Sequence, residues 1–541
     1  MMPNSALTDQ TNEESAQDRV TVKSLARNSA YSLVAQVWRI GSRFVMTPLI
    51  IAKLGLAGYG TWTLLFVICA YVGVIDVNFG LAYNKFTAEY DAKRDYDRLA
   101  QIIGAGMAFV GSIAAVALTG VWLFRAAILH VLGVPEAMIP QAGYALLVVS
   151  MCLLMQMSVG CVFPILDGLQ RLDLRQKIAI LASVIEFIVS IVLLYRGWEL
   201  LALAVGHFCG QIVSTTVAWR LCRHLCPELR ISPFRCSAFG FRNILSLGGR
   251  FQFLAVLQLL IHQGTQVFLS ALLGVSMLAI SEIARKLLSL GAAAGGAVVA
   301  PVFPAFSNLY AGGSRQKWEM LYTRGSKIVS MVCLPCFAFL AVFADRLVLL
   351  WTGEAFPLAA WTVRMIAPVL FLCSLTGMGT AALRGRGTIR LEVGYGIIGA
   401  AILVVLYGPG YWLWGYKGMI GAEVVAGTVS SLWFLMAAAR AESLSFISHC
   451  RETIFRPALV FAPVAAAAAV FAPALRLPVL FSHPRVNLLV DVTVWGVVFG
   501  AVTAACGWFG LLSSSERASL GRHLPGGRNA VVKRALGYAG R

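Results

Sequence analysis

The sequence predicts an all-α integral membrane protein of about fourteen transmembrane helices, and three observations lead there. The 541 residues are 59% hydrophobic and only 13% charged, about half the ~25% charged share of a soluble domain. Apolar runs of about 20 residues recur along the chain, each long enough at 1.5 Å per residue to cross a hydrocarbon core of ~30 Å. Most of the 44 Lys and Arg residues gather in alternate connections between those runs, the charge asymmetry of a multi-pass protein with its basic loops inside.

In chain order the expected spans are 28–51, 60–83, 99–124, 141–164, 178–196, 199–221, 251–273, 277–306, 328–350, 359–383, 391–410, 415–438, 457–480 and 487–511. The eighth is too long for one straight helix, and the thirteenth is rich in Pro and Ala. In lipid each segment must satisfy its own backbone hydrogen bonds, which makes helix the expected form throughout. The organisation that follows is a disordered cytoplasmic tail (1–24), an N-terminal six-helix lobe (25–222), a basic cytoplasmic linker (223–249), a C-terminal six-helix lobe (250–440), an extra helix pair (441–512) and a second cytoplasmic tail (513–541). Residues 1–24 contain no apolar h-region, so no cleavable signal peptide is expected.

The net charge of +19 does not point to nucleic acid, because topology accounts for its placement. Arg220, Arg223, Arg230, Arg235 and Arg242, between spans six and seven, form its densest group. Such a group also suits anionic membrane lipids. The twelve Cys residues lie mostly in apolar runs, where a free thiol behaves as a small hydrophobe. No Walker A sequence, nucleophile elbow or HExxH is present. Loops are too short for an independent catalytic domain. ATP hydrolysis and membrane-embedded glycosyl or acyl transfer are therefore disfavoured, no cofactor or metal is expected, and the protein is read as a non-enzyme.

A weak internal repeat is present. Leu54-Gly55 matches Leu273-Gly274 at an offset of 219, and Leu166-Asp167-Gly168 matches Leu383-Arg384-Gly385 at 217. Even-numbered six-helix units enter the membrane in one orientation, so two pseudo-symmetric lobes should be related by an axis along the membrane normal.

The polar residues inside the spans are the most informative. Ser32, Gln36, Arg39, Arg43 and Thr47 recur at three- and four-residue steps in span one, on one helix face. Gln258, His262 and Gln266 do so in span seven, and the 219-residue offset carries Arg39, Arg43 and Thr47 onto those three. Such a face is costly against lipid and belongs against a hydrated interior, although interhelical hydrogen bonding explains the amides equally well. Span one has no acid to neutralise Arg39 or Arg43, and an unpaired mid-membrane Arg costs at least ~2.5 kcal/mol. Two on one face suggest an anionic ligand. Arg364 is a further cation without a local acid, with snorkelling to the surface as the alternative. Arg285 and Lys286 have Glu282 within one turn. The intramembrane acids Asp76, Glu186, Glu282 and Glu423 are candidates for coupling to H+ or Na+, or for structural pairing with the arginines.

The stretches TPLIIAKLGLAGYGTWTLL (47–65), VIDVNFGL (74–81), ILDGLQRLDLRQK (165–177) and LLGVSMLAISEIARKLL (272–288) resemble the polysaccharide flippases, Wzx-type O-antigen and exopolysaccharide exporters. These belong to the multidrug/oligosaccharidyl-lipid/polysaccharide (MOP) transporter superfamily. The last stretch lacks a Tyr expected near Ile280 to Glu282. The resemblance covers spans one to twelve and implies a MATE/MOP-like fold with alternating access of two six-helix lobes. It also implies an inner-membrane location and an undecaprenyl-pyrophosphate-linked oligosaccharide as cargo, with a polysaccharide polymerase as a partner. On that reading Arg39, Arg43, Arg285 and Arg364 are the pyrophosphate candidates, since Arg presents paired donors in a fixed fork. Gln36, Gln258, His262 and Gln266 are the sugar candidates. Two alternatives remain open, an organic-cation or multidrug antiporter of the same superfamily and a flippase for the lipid-linked peptidoglycan precursor.

Overall fold

The computed structural model describes residues 5–74, 77–300, 302–311, 315–386, 388, 390–442, 444–474, 484–514 and 516–517. Among these the protein is all helix, as the apolar runs require. The first contact unit, Met1–Glu282, contains α1 (Ser5–Gly73), α2 (Val77–Lys93), α3 (Tyr96–Leu123), α4 (Arg125–Val131), α5 (Ile139–Val159), α6 (Val162–Gly168), α7 (Leu172–Tyr195), α8 (Glu199–Leu225) and α9 (Ala238–Leu273). The chain passes within α10 (Val275–Val299) into the second unit, Ile283–Arg541. That unit continues with α11 (Val302–Ala311), α12 (Arg315–Val342), α13 (Ala344–Thr352), α14 (Pro357–Gly385), α15 (Arg390–Ala441), α16 (Phe446–Cys450), α17 (Arg456–Ala474) and α18 (Pro484–Gly510).

Ten helices among the described residues are long and apolar enough to cross a membrane. The expected number of fourteen does not emerge as fourteen separate helices, and glycine is the reason in two places. α1 runs through the gap expected between spans one and two, broken only at Gly55 (φ 70°, ψ 179°). α15 does the same across spans eleven and twelve, broken at Gly415 (φ 55°, ψ −130°). A single residue outside helical geometry turns the chain there, and only glycine enters such regions without a steric cost. The over-long eighth span is split into α10 and α11.

The internal repeat is written into the backbone. Among the described residues six glycines have positive φ, and they form three pairs: Gly55 with Gly274, Gly133 with Gly353, and Gly197 with Gly415, spaced by 219, 220 and 218 residues. Gly55 and Gly274 (φ 84°, ψ 163°) share one glycine-only region. α3 and α12 are both 28 residues long and begin 219 residues apart. A β-carbon on Gly168 would meet Thr87 Cβ at 2.6 Å, and one on Gly385 would meet Phe306 Cβ at 3.0 Å. Thr87 and Phe306 are again 219 residues apart, so the same close approach recurs.

An ion pair recurs as well, with its signs exchanged. Asp167 pairs with Arg175, and Arg384 pairs with Glu392 at 2.8 Å. The 217-residue offset carries Asp167 onto Arg384 and Arg175 onto Glu392. The acid is the buried member each time, 10% and 8% exposed. Burial pushes the Asp167 carboxyl above its usual range, against the pull of Arg175.

The division after Glu282 does not coincide with the expected 223–249 linker. α9 packs on α1, α2 and α3 within the first unit. Its entry is tied down by Arg235 to Asp97 (3.3 Å), by Ser237 Oγ donating to Gln101 Oε1 (2.9 Å), and by the Ser237 cap on Gly240 N–H (3.1 Å). In the second unit the C-terminal pair α17 and α18 packs on α12 through an apolar patch of Phe343, Ala468, Ala472 and Phe499. Two ion pairs fasten it, Arg346 to Asp491 at 2.5 Å and Lys327 to Glu516 at 3.0 Å.

Gly55→Ala and Gly274→Ala should each cost about 1–3 kcal/mol of stability, read as thermal unfolding in detergent. Gly408→Ala, at a helical position with open space beside its α-carbon, should be neutral or better. Equal losses at all three positions would remove backbone geometry as the cause. The second half also supplies a design for the first: Asp167→Arg should destabilise alone, and adding Arg175→Glu should recover most of the loss. A double variant as unstable as the single one would contradict the equivalence of the two pairs.

Candidate substrate and coupling sites

The polar face of the first helix is partly buried and partly open. Gln36 and Arg43 lie seven residues apart on α1, on the same helix face, and both are exposed. Arg43 has no ion pair among the described residues. One turn further on, Thr47 is fully buried and donates from Oγ1 to the Arg43 carbonyl at 2.9 Å. The side chains of Arg39, Gln258 and His262 lie outside the described residues, as does Asp76.

Thr47 belongs to a buried polar cluster to which both halves of the repeat contribute. The Tyr59 hydroxyl, fully buried, faces Thr47, Thr63 and Glu282. Gln266 Nε2 donates to Glu282 Oε1 at 2.6 Å. The 219-residue offset relates Thr47 to Gln266 and Thr63 to Glu282, so two sets of repeat mates meet around one tyrosine. α1 and α10 reach backbone contact beside it, since a β-carbon on Gly60 would fall 1.9 Å from the Val275 carbonyl oxygen. Gln266, expected among the sugar ligands, is thus engaged with an expected coupling acid.

Glu186 of α7 faces His207 of α8 at 3.2 Å, and the imidazole stands edge-on to Phe66 with centroids 5.2 Å apart. Glycines make this seam tight: a β-carbon on Gly210 would sit 3.1 Å from Glu186 Cβ, and one on Gly206 would meet the Glu186 carbonyl at 2.9 Å. Trp38 Nε1 donates to Ser183 Oγ at 2.7 Å on the same face of α7. Trp38 of α1 and Ser183 and Glu186 of α7 therefore share one seam.

In the second unit the candidate arginines are occupied. Arg285 donates from Nη2 to Glu423 Oε2 at 2.5 Å, across helices and 138 residues away. Around that pair stand Tyr407 and Tyr416, and Tyr416 shares a 2.8 Å hydroxyl hydrogen bond with Thr362. Arg364 pairs with Asp345 at an exposed position. Of the four arginines assigned to an anion, two thus have carboxylate partners and one described cation, Arg43, does not.

Sequence reasoning passed over Asp491 and Arg346, which form a largely buried pair inside expected spans. Each lies within one turn or so of an expected span end, where a charge reads as interfacial. Asp345, likewise, falls five residues before the end of an expected span and gives no local sign of its partner. The signal available was the complement itself, an acid and a base at similar depth in neighbouring spans.

Solved structures of similar fold place this arrangement in a class. One is the lipid II flippase MurJ in its inward closed conformation, with 11% identity, a TM-score of 0.62 and coverage of 89% of this chain and 98% of that one. A multidrug resistance MATE family transporter of the MOP superfamily, inward-facing, shows 15% identity and a TM-score of 0.63 over 78% of this chain and 98% of that one. A MOP superfamily transporter from Pyrococcus furiosus, described by the reverse polarity of its binding pocket, shows 15% identity and a TM-score of 0.55 over 78% and 97%. At these identities the likeness is one of fold. The chain is a polytopic membrane protein with the fold of the MOP transporters.

A stretch of the sequence also matches a known family. Residues 107–361 match the family model described as polysaccharide biosynthesis protein. The resemblance to polysaccharide flippases within the MOP superfamily is borne out. No curated protein matches the sequence.

Removing one member of a buried ion pair leaves the other charge stranded, a loss of about 3–5 kcal/mol, whereas replacing both by apolar groups is far milder. Glu423→Gln should therefore lower the unfolding temperature in detergent more than the double variant Arg285→Met/Glu423→Met. The opposite order would show that the pair is not the structural tie inferred from its geometry.

Proposed function

We propose that this protein is a flippase that moves undecaprenyl-pyrophosphate-linked oligosaccharide units across the inner membrane by alternating access, for O-antigen, capsule or exopolysaccharide synthesis. The observation that carries the reading is the polysaccharide biosynthesis match over residues 107–361. The charge pattern supports it. Arg43 is exposed on α1 and has no ion pair among the described residues, while Glu282 and Glu423 are bonded to Gln266 and Arg285. A site for organic cations calls for free carboxylates, and those two are engaged. An anionic pyrophosphate calls for free cations, and a guanidinium binds it through paired donors.

In this account Arg39 and Arg43 contact the pyrophosphate, and Gln36 on the same face contacts the first sugars. Both termini lie in the cytoplasm, where the basic connections would also meet anionic lipids and a polymerase. The carboxylate–imidazole pair Glu186–His207 and the Glu423 pair are the candidates for coupling to H+ or Na+.

A second reading, a flippase for the lipid-linked peptidoglycan precursor, is favoured by one observation. The lipid II flippase fold extends over 89% of the chain, against 78% for the MATE transporter. Both cargoes are lipid pyrophosphates, so the arginine face serves either. Surface polysaccharide distinguishes them. At matched protein levels Arg39→Ala/Arg43→Ala should lower surface polysaccharide at least tenfold, the loss of about 1.4 kcal/mol or more of cargo interaction. Full export by the double variant would sink the assignment.

A further inference from the structure

The repeat provides an internal control for one end of the second half. Along α3, Leu99, Ile103 and Met107 are buried apolar core. The 219-residue offset carries them onto Trp318, Tyr322 and Ser326 of α12, which are just as buried, at 3%, 0% and 1% exposure. At these three positions the first half packs the helix with apolar side chains. The second half instead buries hydroxyls there, which is costly for each one left without a hydrogen bond.

They are left so. Tyr322 Oη, Ser326 Oγ, His449 Nδ1 and Glu442 Oε1 are all buried without a hydrogen-bond partner among the described residues, and Arg386 Nε joins them. The residues are gathered from separate elements. His449 of α16 lies 5.1 Å from the Tyr322 ring, centroid to centroid. It lies two residues before a π-helical turn, Arg451–Phe455, a rare geometry that concentrates at functional sites. That turn is docked on α12 by Ser330 Oγ donating to the Thr453 carbonyl. Glu442, just after α15, accepts through Oε2 from Trp318 Nε1 at 2.7 Å and from Arg386 Nη2 at 2.6 Å. The Arg386 guanidinium in turn lies 4.6 Å over the Trp318 ring.

Several unpaired donors and acceptors around one carboxylate are the setting in which buried water makes its two to four hydrogen bonds. We infer that this cluster is a hydrated proton-binding site, with Glu442 as the group that takes the proton and Tyr322, Ser326 and His449 as the hydroxyl and imidazole lining of its water. The step is a simple protonation. A proton from bulk water passes through the internal water to the free Oε1, the carboxylate becomes a neutral acid, and Arg386 keeps its charge while losing its anionic partner. Because Glu442 ties the end of α14, through Arg386, to the start of α12, through Trp318, the proton loosens a joint between three helix ends.

The charged and titratable groups that face the carboxylate are Arg386, Arg315 and Glu319, with Tyr322 and Cys450 beside them. Burial holds the Glu442 carboxyl above the ordinary glutamate range, opposed by Arg386, the Trp318 hydrogen bond and Arg315. The folded protein therefore binds this proton more readily than the unfolded chain. Its contribution to stability is present at low pH and is lost as pH rises through the folded value. The inference is independent of the cargo assignment.

The test is an infrared pH titration of the full-length protein in lipid, taken as the difference between wild type and Glu442→Gln. The expected result is one protonated-carboxyl band that persists at pH values where exposed glutamates are ionised and is absent from the variant. In Tyr322→Phe/Ser326→Ala, which keeps Glu442, the midpoint should shift. If Glu442→Gln does not fold, the double variant against wild type gives the same reading. A carboxyl that ionises in the ordinary glutamate range, or a midpoint unmoved by loss of both hydroxyls, overturns the proposal.

Discussion

A charge inside a membrane bundle must be given a partner, and much of this structure follows from how the chain meets that demand. Desolvating an ion costs several kcal/mol, which only close pairing returns. Arg285 finds Glu423 138 residues away, Arg346 finds Asp491 145 residues away, and Lys327 finds Glu516 189 residues away. Each pair joins segments remote in sequence. Two of them fasten the C-terminal helices α17 and α18 to the second unit, which is how an added pair becomes part of the architecture. The same demand makes an exception informative. Arg43 is exposed on α1, and no carboxylate among the described residues answers it.

The repeat sharpens what counts as an exception. Three pairs of positive-φ glycines, two 28-residue helices in register and a recurring close approach at Gly168 and Gly385 establish the shared scaffold. Against it, the sign-exchanged pairs Asp167–Arg175 and Arg384–Glu392 show that the scaffold needs an ion pair there and is indifferent to its polarity. Where Leu99, Ile103 and Met107 suffice for packing, Trp318, Tyr322 and Ser326 answer to something other than packing.

The fold was legible because its signals are local. Apolar runs mark helices, and Gly55, Gly274 and Gly415 mark where they break, all within a few residues of the predicted boundaries. The repeat was legible from two short matches because the glycines that carry it have no substitute. The sites were less so. Gln266 looked like a free amide and is held by Glu282, while Arg364 looked unpaired and meets Asp345. Helical periodicity says which face a residue occupies, and it does not say which distant helix that face meets. Glu442 and His449 were invisible for a further reason: each is unremarkable alone, and only the unpaired atoms gathered around Tyr322 set them apart.

The central claim is that the arginine left without a carboxylate serves the cargo, whereas the paired ones serve the structure. The most direct measurement is binding of a purified undecaprenyl-pyrophosphate oligosaccharide to the reconstituted protein, comparing Arg43→Ala with Arg364→Ala. Arg43→Ala is predicted to weaken binding at least tenfold, and Arg364→Ala to leave it unchanged. Equal affinity in the two variants, or a loss confined to Arg364→Ala, would contradict that claim.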